Sequence, residues 1–235
     1  MDTIEITSVA LDGVRLDFPS EKQMAALASA WDDDTNHQIS FLSSLDFRAA
    51  QQTSEYASMI ASADLALGTS AALSRRAAEI AEAKGAMPGG AIMRSIPIGP
   101  RRIEYLSYFG SPEGDDVLFH PYIPLKTLSL FLSALEQRRG SAFLIGGNFS
   151  VLQKAEMNVR STFPEIRVVG RATGDYGGED EMVIMRALQK AVPDMIIVGS
   201  MVKDAELWVA RHMRYTRSGI FFYERSIIEI LAGRP

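Results

Sequence analysis

Between Leu125 and Leu231 the chain alternates short apolar runs with longer amphipathic stretches, and this alternation narrows the fold more than any other feature. Ala142 to Ile145, Ile166 to Val169, Met195 to Val198 and Ile220 to Tyr223 are strand-length and largely apolar. Strands with so little polar alternation are covered on both faces, the condition of a parallel sheet. Leu125 to Arg139, Ser150 to Arg160, Glu179 to Ala191, Asp204 to Met213 and Ser226 to Leu231 read as the intervening helices. In the second of them Val151, Leu152, Ala155 and Val159 recur at helical spacing. The expected fold class is α/β, a mostly parallel Rossmann-like sheet with helices on both faces.

The N-terminal half continues the pattern. Ile4 to Val9 and Val14 to Leu16 flank Asp12-Gly13, the signal of a small N-terminal β-hairpin. Ser20 and Gln23 stand at capping-box spacing and open a helix to Trp31. A strand at His37 to Leu42, helical sequence from Ser44 to Ala61, a buried strand at Ala63 to Leu67 and a helix from Ser70 to Lys84 follow. From Gly85 to Pro124 glycines and prolines interrupt any long element, leaving short strands at Ile92 to Ile96 and Val117 to His120. The expectation is a single domain over residues 1–235 with an irregular segment at about 85–124.

Composition excludes several function classes. Of 235 residues 47% are hydrophobic and 23% charged, enough apolar surface to order a core, so the chain is not a disordered one. The absence of cysteine removes disulfides, thiolate metal sites and cysteine nucleophiles, and fits a reducing compartment. A formal net charge of −5 argues against nucleic acid as partner. Met1 to Glu5 carries no secretory signal, and no apolar run nears the ~20 residues a bilayer span needs. A soluble protein, or one resting on a membrane surface, is expected.

Ligands of an open parallel sheet sit beyond the carboxyl ends of its strands, which directs attention to four loops. Gly146-Gly147-Asn148 lets backbone N–H groups approach an anion at a helix N-terminus. A tight strand–helix turn accounts for the same glycines equally well, and the spacing is not that of a dinucleotide fingerprint. In Gly174-Asp175-Tyr176-Gly177-Gly178 the tyrosine is placed to stack on a base, or the loop is a plain glycine-rich connection. After Gly199, Lys203 offers a phosphate contact and Glu206 a sugar-hydroxyl contact, while acids in a first helical turn also complement the helix dipole. Gly68-Thr69-Ser70 puts hydroxyls behind a buried strand, where they also serve as N-caps.

Other signals carry less. Asp32-Asp33-Asp34 reads as a solvated turn. His37, His120 and His212 lack metal-ligand spacing. Arg211, His212, Arg214 and Arg217 form a local basic cluster, able to hold a diphosphate or anionic lipid heads but better read as a solvated helix end.

Taken in order, Ser141-Ala142-Phe143-Leu144-Ile145-Gly146-Gly147, Phe163-Pro164-Glu165-Ile166, Val169-Gly170 and Gly174-Asp175-Tyr176 resemble the WecG/TagA/CpsF glycosyltransferase family. Pro193 to Gly199, Glu206-Leu207-Trp208 and Leu231-Ala232-Gly233-Arg234 extend the resemblance, and Ala63 to Leu67 resembles the strand before the family's Asp-Gly motif. The resemblance implies transfer of a sugar of N-acetylmannosamine type from a UDP donor to a polyprenyl-diphosphate-linked acceptor, at the cytoplasmic face of the bacterial inner membrane and without a metal or other cofactor. It implies a donor site at Ser43, Gly146, Gly147, Asn148, Gly174, Asp175, Tyr176, Gly199, Lys203 and Glu206. A cytoplasmic location with peripheral membrane contact follows from it, and self-association is compatible with it.

The chain departs from the family pattern at defined places. Thr-x-Asn falls on Phe41 and Ser43, Asp-Gly falls on Thr69-Ser70, and Pro-Lys-Gln-Glu falls on Lys203-Asp204-Ala205-Glu206. Glu229 stands where the family has aspartate. Threonine has no accessible deprotonated form near neutral pH, so Thr69 occupies the catalytic position without the chemistry of a base. Asp64, Glu206 or a residue of the unmatched segment from about Gly85 to His120 is left to take that proton. The alternative is a relative without turnover that binds a nucleotide sugar as a sensor or complex partner.

Overall fold

The computed structural model describes residues 2–83, 91–98 and 118–233. Two sheets organise them. The first has the order β2-β1-β5, built from β1 (Asp2–Leu11), β2 (Val14–Phe18) and β5 (Ala91–Ile98). The second has the order β4-β3-β9-β8-β6-β7, from β3 (Asn36–Leu42), β4 (Leu65–Gly68), β6 (Ser141–Ile145), β7 (Arg167–Ala172), β8 (Met195–Val198) and β9 (Gly219–Tyr223). In it β7 pairs with β6, β6 with β8 and β8 with β9, all parallel. The α/β class with a largely parallel sheet is therefore as expected. The chain divides into two compact units, Met1–Trp31 with Ser40–Thr127 and Asp32–Ile39 with Leu128–Pro235.

In the first unit the hairpin forms where Asp12-Gly13 predicts it. Both residues take positive φ, 45° and 83°, as the tight turn requires. The hairpin is larger than expected, because β5 adds antiparallel to the other edge of β1, from Asp2 opposite Ile98 to Val9 opposite Ala91. Helix α1 (Glu21–Ala30) starts at the predicted capping box: the Gln23 N–H donates to Ser20 Oγ at 3.2 Å and the Ser20 N–H to Gln23 Oε1 at 2.7 Å. Helix α4 (Ala71–Ala83) follows β4.

Asp17, wholly buried on β2, is the polar centre of this unit. It accepts from Ser8 Oγ at 2.6 Å, Arg15 Nε at 3.1 Å, Arg94 Nη2 at 3.3 Å and the Ala66 N–H of β4 at 2.8 Å. The two arginines also donate to the carbonyls of Ala61, Ala63 and Asp64. One carboxylate thus fastens three strands of the small sheet to the start of β4. Burial lowers the Arg94 pKa from its usual value, and the Asp17 charge opposes that shift.

The second unit packs Phe143, Ile145, Ile196, Val198, Phe221 and Tyr223 of the sheet against Ile184, Leu188, Trp208 and Val209. Those four side chains belong to α7 (Gly178–Ala191) and α8 (Ala205–His212). Helix α6 (Phe149–Thr162) buries Val151, Leu152, Ala155 and Val159, the stripe its sequence predicts. Helix α5 (Pro124–Gln137) precedes β6, and α9 (Ile227–Leu231) ends the described chain.

Three expectations need correction. The helical sequence from Ser44 to Ala61 is two helices, α2 (Ser44–Gln52) and α3 (Ser54–Ser62), parted at Thr53. Thr53 adopts an extended conformation (φ −125°, ψ 111°) that a β-branched residue prefers to a helical one. Leu118 to His120 do not form a strand, and Val117 lies outside the described residues, as does most of the irregular segment. The helix expected from Asp204 to Met213 is shorter: Asp204 is left-handed, and Met213–Tyr215 wind into a 3-10 turn.

Candidate functional site

At the carboxyl ends of β6, β7 and β8 the second unit brings three glycine-bearing turns together. Gly146 (φ 130°) and Gly147 (φ 61°) follow β6 in conformations that favour glycine. Their N–H groups are spent inside the protein: Gly146 donates to Ala172 O at 3.0 Å and Gly147 to Ser200 O at 3.0 Å. Gly174 donates to Gly147 O at 3.0 Å and Gly199 to Ile145 O at 2.8 Å. These two N–H groups are engaged by protein carbonyls, which leaves those that open α6 as the loop's available donors.

These glycines serve close approach instead. A Cβ on Gly146 would stand 3.0 Å from the Gly199 carbonyl carbon and 3.0 Å from Ser200 O. One on Gly174 would collide with Ser200 O, and one on Gly199 would lie 2.6 Å from Ile228 Cγ1. Three chain turns fit against one another because none of them carries a side chain at the crossing. Asn148 caps α6, its Oδ1 accepting the Val151 N–H at 3.0 Å. The N–H groups of Phe149 and Ser150, ahead of that bond, have no partner among the described residues.

Ser200 and Glu229 meet beside this crossing, a pair the sequence did not single out. The Ser200 hydroxyl donates to Glu229 Oε1. Glu229 Oε2 is buried with no hydrogen-bond partner. An unpartnered carboxylate oxygen out of water costs about 1–3 kcal/mol, more when charged, so it is a place for a ligand's hydroxyl or N–H. Glu229 reaches it from α9, whose Leu231 carbonyl accepts from Asn158 Nδ2 of α6 at 2.7 Å.

The remaining second-unit residues are dispersed around this point. Asp175 and Lys203 are exposed. Tyr176 is half-buried and packs on the core; burial, with Glu181 adding to it, pushes its pKa up to about 12, and the Trp208 indole opposes the shift. Trp208, 1% exposed, stacks on His212 with ring centroids 4.6 Å apart, and His212 Nδ1 donates to Trp208 O at 2.7 Å. His212 also faces Glu181 at 3.2 Å, so the histidine of the basic cluster belongs to this packed group. Arg211 pairs with Asp204 at 3.0 Å. Glu206 is in the first turn of α8, and its side chain lies outside what the structure describes.

In the first unit a second set of expected residues gathers at the carboxyl ends of β3 and β4. Thr69 closes the two strand ends: its N–H donates to Leu42 O at 2.9 Å and its hydroxyl to the same oxygen at 3.2 Å. Ser44 Oγ donates to Ser70 Oγ at 3.0 Å. Ser43 caps α2 in a capping box with Asp46, whose Oδ2 accepts from Ser43 N at 2.9 Å and Ser43 Oγ at 2.6 Å. The Ser43-x-x-Asp46 spacing is the sequence signal for that box. Asp64 is not with this group. It precedes β4 while Thr69 follows it, and it lies beside Arg94 at the amino end.

The Asp32-Asp33-Asp34 turn binds inward. Asp33 Oδ1 accepts from Thr35 Oγ1 at 2.7 Å and pairs with His37 Nε2 at 3.0 Å. Burial raises the Asp33 pKa, but the bonds from Thr35 and His37 outweigh it and leave the carboxyl below its usual value. Among the described residues no three acidic or histidine side chains gather as a metal-binding group.

Residues 124–235 match the family model described as Glycosyl transferase WecG/TagA/CpsF family. No curated protein matches the chain.

Proposed function

Through residues 124–235 the chain belongs to the WecG/TagA/CpsF family of glycosyl transferases, and on that premise we propose that it transfers a sugar from a UDP donor in cell-surface polysaccharide synthesis. The donor sugar is of N-acetylmannosamine type and the acceptor is lipid-linked or another glycan. One observation carries the donor site: the buried, unpartnered Oε2 of Glu229, held at its other oxygen by Ser200. A carboxylate accepts hydrogen bonds only, which suits the hydroxyl pair of a ribose. The unpartnered N–H groups that open α6 suit the diphosphate, since a helix N-terminus favours negative charge. They would also receive the charge that builds on the leaving diphosphate as the glycosidic bond breaks.

Isothermal titration with UDP tests the reading. Saturable binding is expected, with Glu229→Gln weakening it about tenfold or more, the worth of a hydrogen bond to a charged group. No heat at millimolar UDP would sink it.

A second reading, a nucleotide-sugar-binding relative without turnover, is favoured by Thr69, whose hydroxyl is bound to Leu42 O where a base is wanted. Donor binding with neither hydrolysis nor transfer across a broad set of acceptors separates it from the first.

A further inference from the structure

A nucleotide held at the carboxyl edge of a sheet gains from a flat side chain under its base, and in sequence Tyr176 is the residue placed for it. In the structure Tyr176 packs on the core with its hydroxyl buried. Phe131, Phe143, Trp208, Phe221, Phe222 and Tyr223 of the second unit are buried as well. Phe163 ends α6 ahead of β7, and Tyr215 lies in the 3-10 turn ahead of β9, both at the amino edge. Among the described phenylalanine, tyrosine and tryptophan side chains of this unit, that leaves Phe149 exposed at the carboxyl edge. It is the first residue of α6, directly after the Gly146-Gly147-Asn148 turn, and it is 61% exposed.

The ring is held from one side. Arg171, next to the last residue of β7, brings its guanidinium carbon over the ring, 5.3 Å from the centroid, a cation–π contact. Glu156 of α6 pairs with Arg171 and so fixes the cation behind the ring. One face is covered by the guanidinium, and the exposure belongs to the other. The groups that suit the rest of a nucleotide stand on the same turn. The N–H groups of Phe149 and Ser150 have no partner among the described residues. Ile228, beside Glu229, lies against Gly147, where a Cβ would stand 3.3 Å from Ile228 Cγ2.

We propose that Phe149 is the platform on which the uracil of the donor stacks, with Arg171 on the far side of the ring. This rests on the donor-binding reading above and says where the base goes. A base laid on the ring removes its apolar face from water, and the order guanidinium, phenyl, base is a three-layer stack fixed by Glu156. Every base has a π-face, so the platform supplies affinity rather than the choice of uracil.

The test is isothermal titration of the full chain with UDP, on the unaltered protein and on Phe149→Ala, Phe149→Leu and Phe149→Trp. Each alters an exposed side chain, so thermal melts should stay together. Phe149→Ala should weaken UDP about 5–150-fold, the effect of taking an aromatic from under a base. Phe149→Leu keeps apolar bulk without a flat face and should lose nearly as much. Phe149→Trp should hold UDP at least as well as the unaltered chain, and UDP should quench its water-exposed emission, since Trp31 and Trp208 are buried at 3% and 1% exposure. Phe149→Ala within twofold of the unaltered chain, Phe149→Leu binding normally, or Phe149→Trp emission that UDP does not move would each overturn the platform and leave the donor site standing. An unaltered chain that gives no heat at millimolar UDP would overturn the donor reading, and the platform with it.

Discussion

The two units finish their strands in different ways. At the carboxyl ends of β6 to β8, Gly146 and Gly174 let backbone rest on backbone, Gly199 makes room for Ile228, and the N–H groups of all three bond to neighbouring backbone carbonyls. At the ends of β3 and β4 the closing bonds come from side chains: Thr69 to Leu42 O, Ser44 to Ser70, Ser43 with Asp46. A crossing of glycines tolerates almost no added atom, whereas a ring of hydroxyls can exchange members while still satisfying the strand ends. The family match lies in residues 124–235, which hold the glycine crossing, and the hydroxyls at the ends of β3 and β4 fall outside it.

The largest expected effect tests whether side chains hold the first unit. Asp17→Ala removes the acceptor shared by Arg15, Arg94 and the Ala66 N–H, and breaking a buried ion pair from one side costs about 3–5 kcal/mol. Urea denaturation reads it; a loss under 1 kcal/mol would mean that apolar packing, not this carboxylate, joins the small sheet to β4. In the second unit Gly174→Ala should cost about 1–3 kcal/mol, because the added methyl meets backbone that cannot step aside. Gly177→Ala is the control: nothing lies within 4 Å of its Cβ, so a change of about 0.5 kcal/mol or less is expected. Equal losses at the two glycines would dissolve the contrast.

Thr69→Val removes one hydroxyl bond to Leu42 O and should cost about 1 kcal/mol while transfer proceeds at a near-normal rate. A collapse of transfer without a stability loss would return Thr69 to the chemistry.

The smallest effect is one of pH. Tyr176 has its folded pKa raised to about 12 from 10.0, so the unfolded chain ionises first as pH climbs. The stabilisation is whole below pH 10.0 and drains away as pH rises toward about 12. Tyr176→Phe should flatten that alkaline decline in thermal melts, and an unchanged slope would place the ring in water.

Much of this architecture is local in origin and was readable along the chain. The strands from β6 to β9 are runs of apolar residues, Asp12-Gly13 turns the hairpin, and Ser20 with Gln23 starts α1. Each depends on residues within a few positions of one another, where periodicity and capping chemistry act. The candidate sites were legible only as loops. Gly146 and Gly147 stood out, but a glycine that frees its N–H for a ligand and one that makes room for another turn look alike in sequence.

The tertiary structure alone decided what spans long separations. It set β5 against β1, brought Arg94 to Asp17, parted α2 from α3 at Thr53, and joined Ser200 to Glu229 across 29 residues. Pattern along a chain tells which face of an element is buried. What that face meets, and which polar atom is left without a partner, is fixed by distant segments filling the same volume.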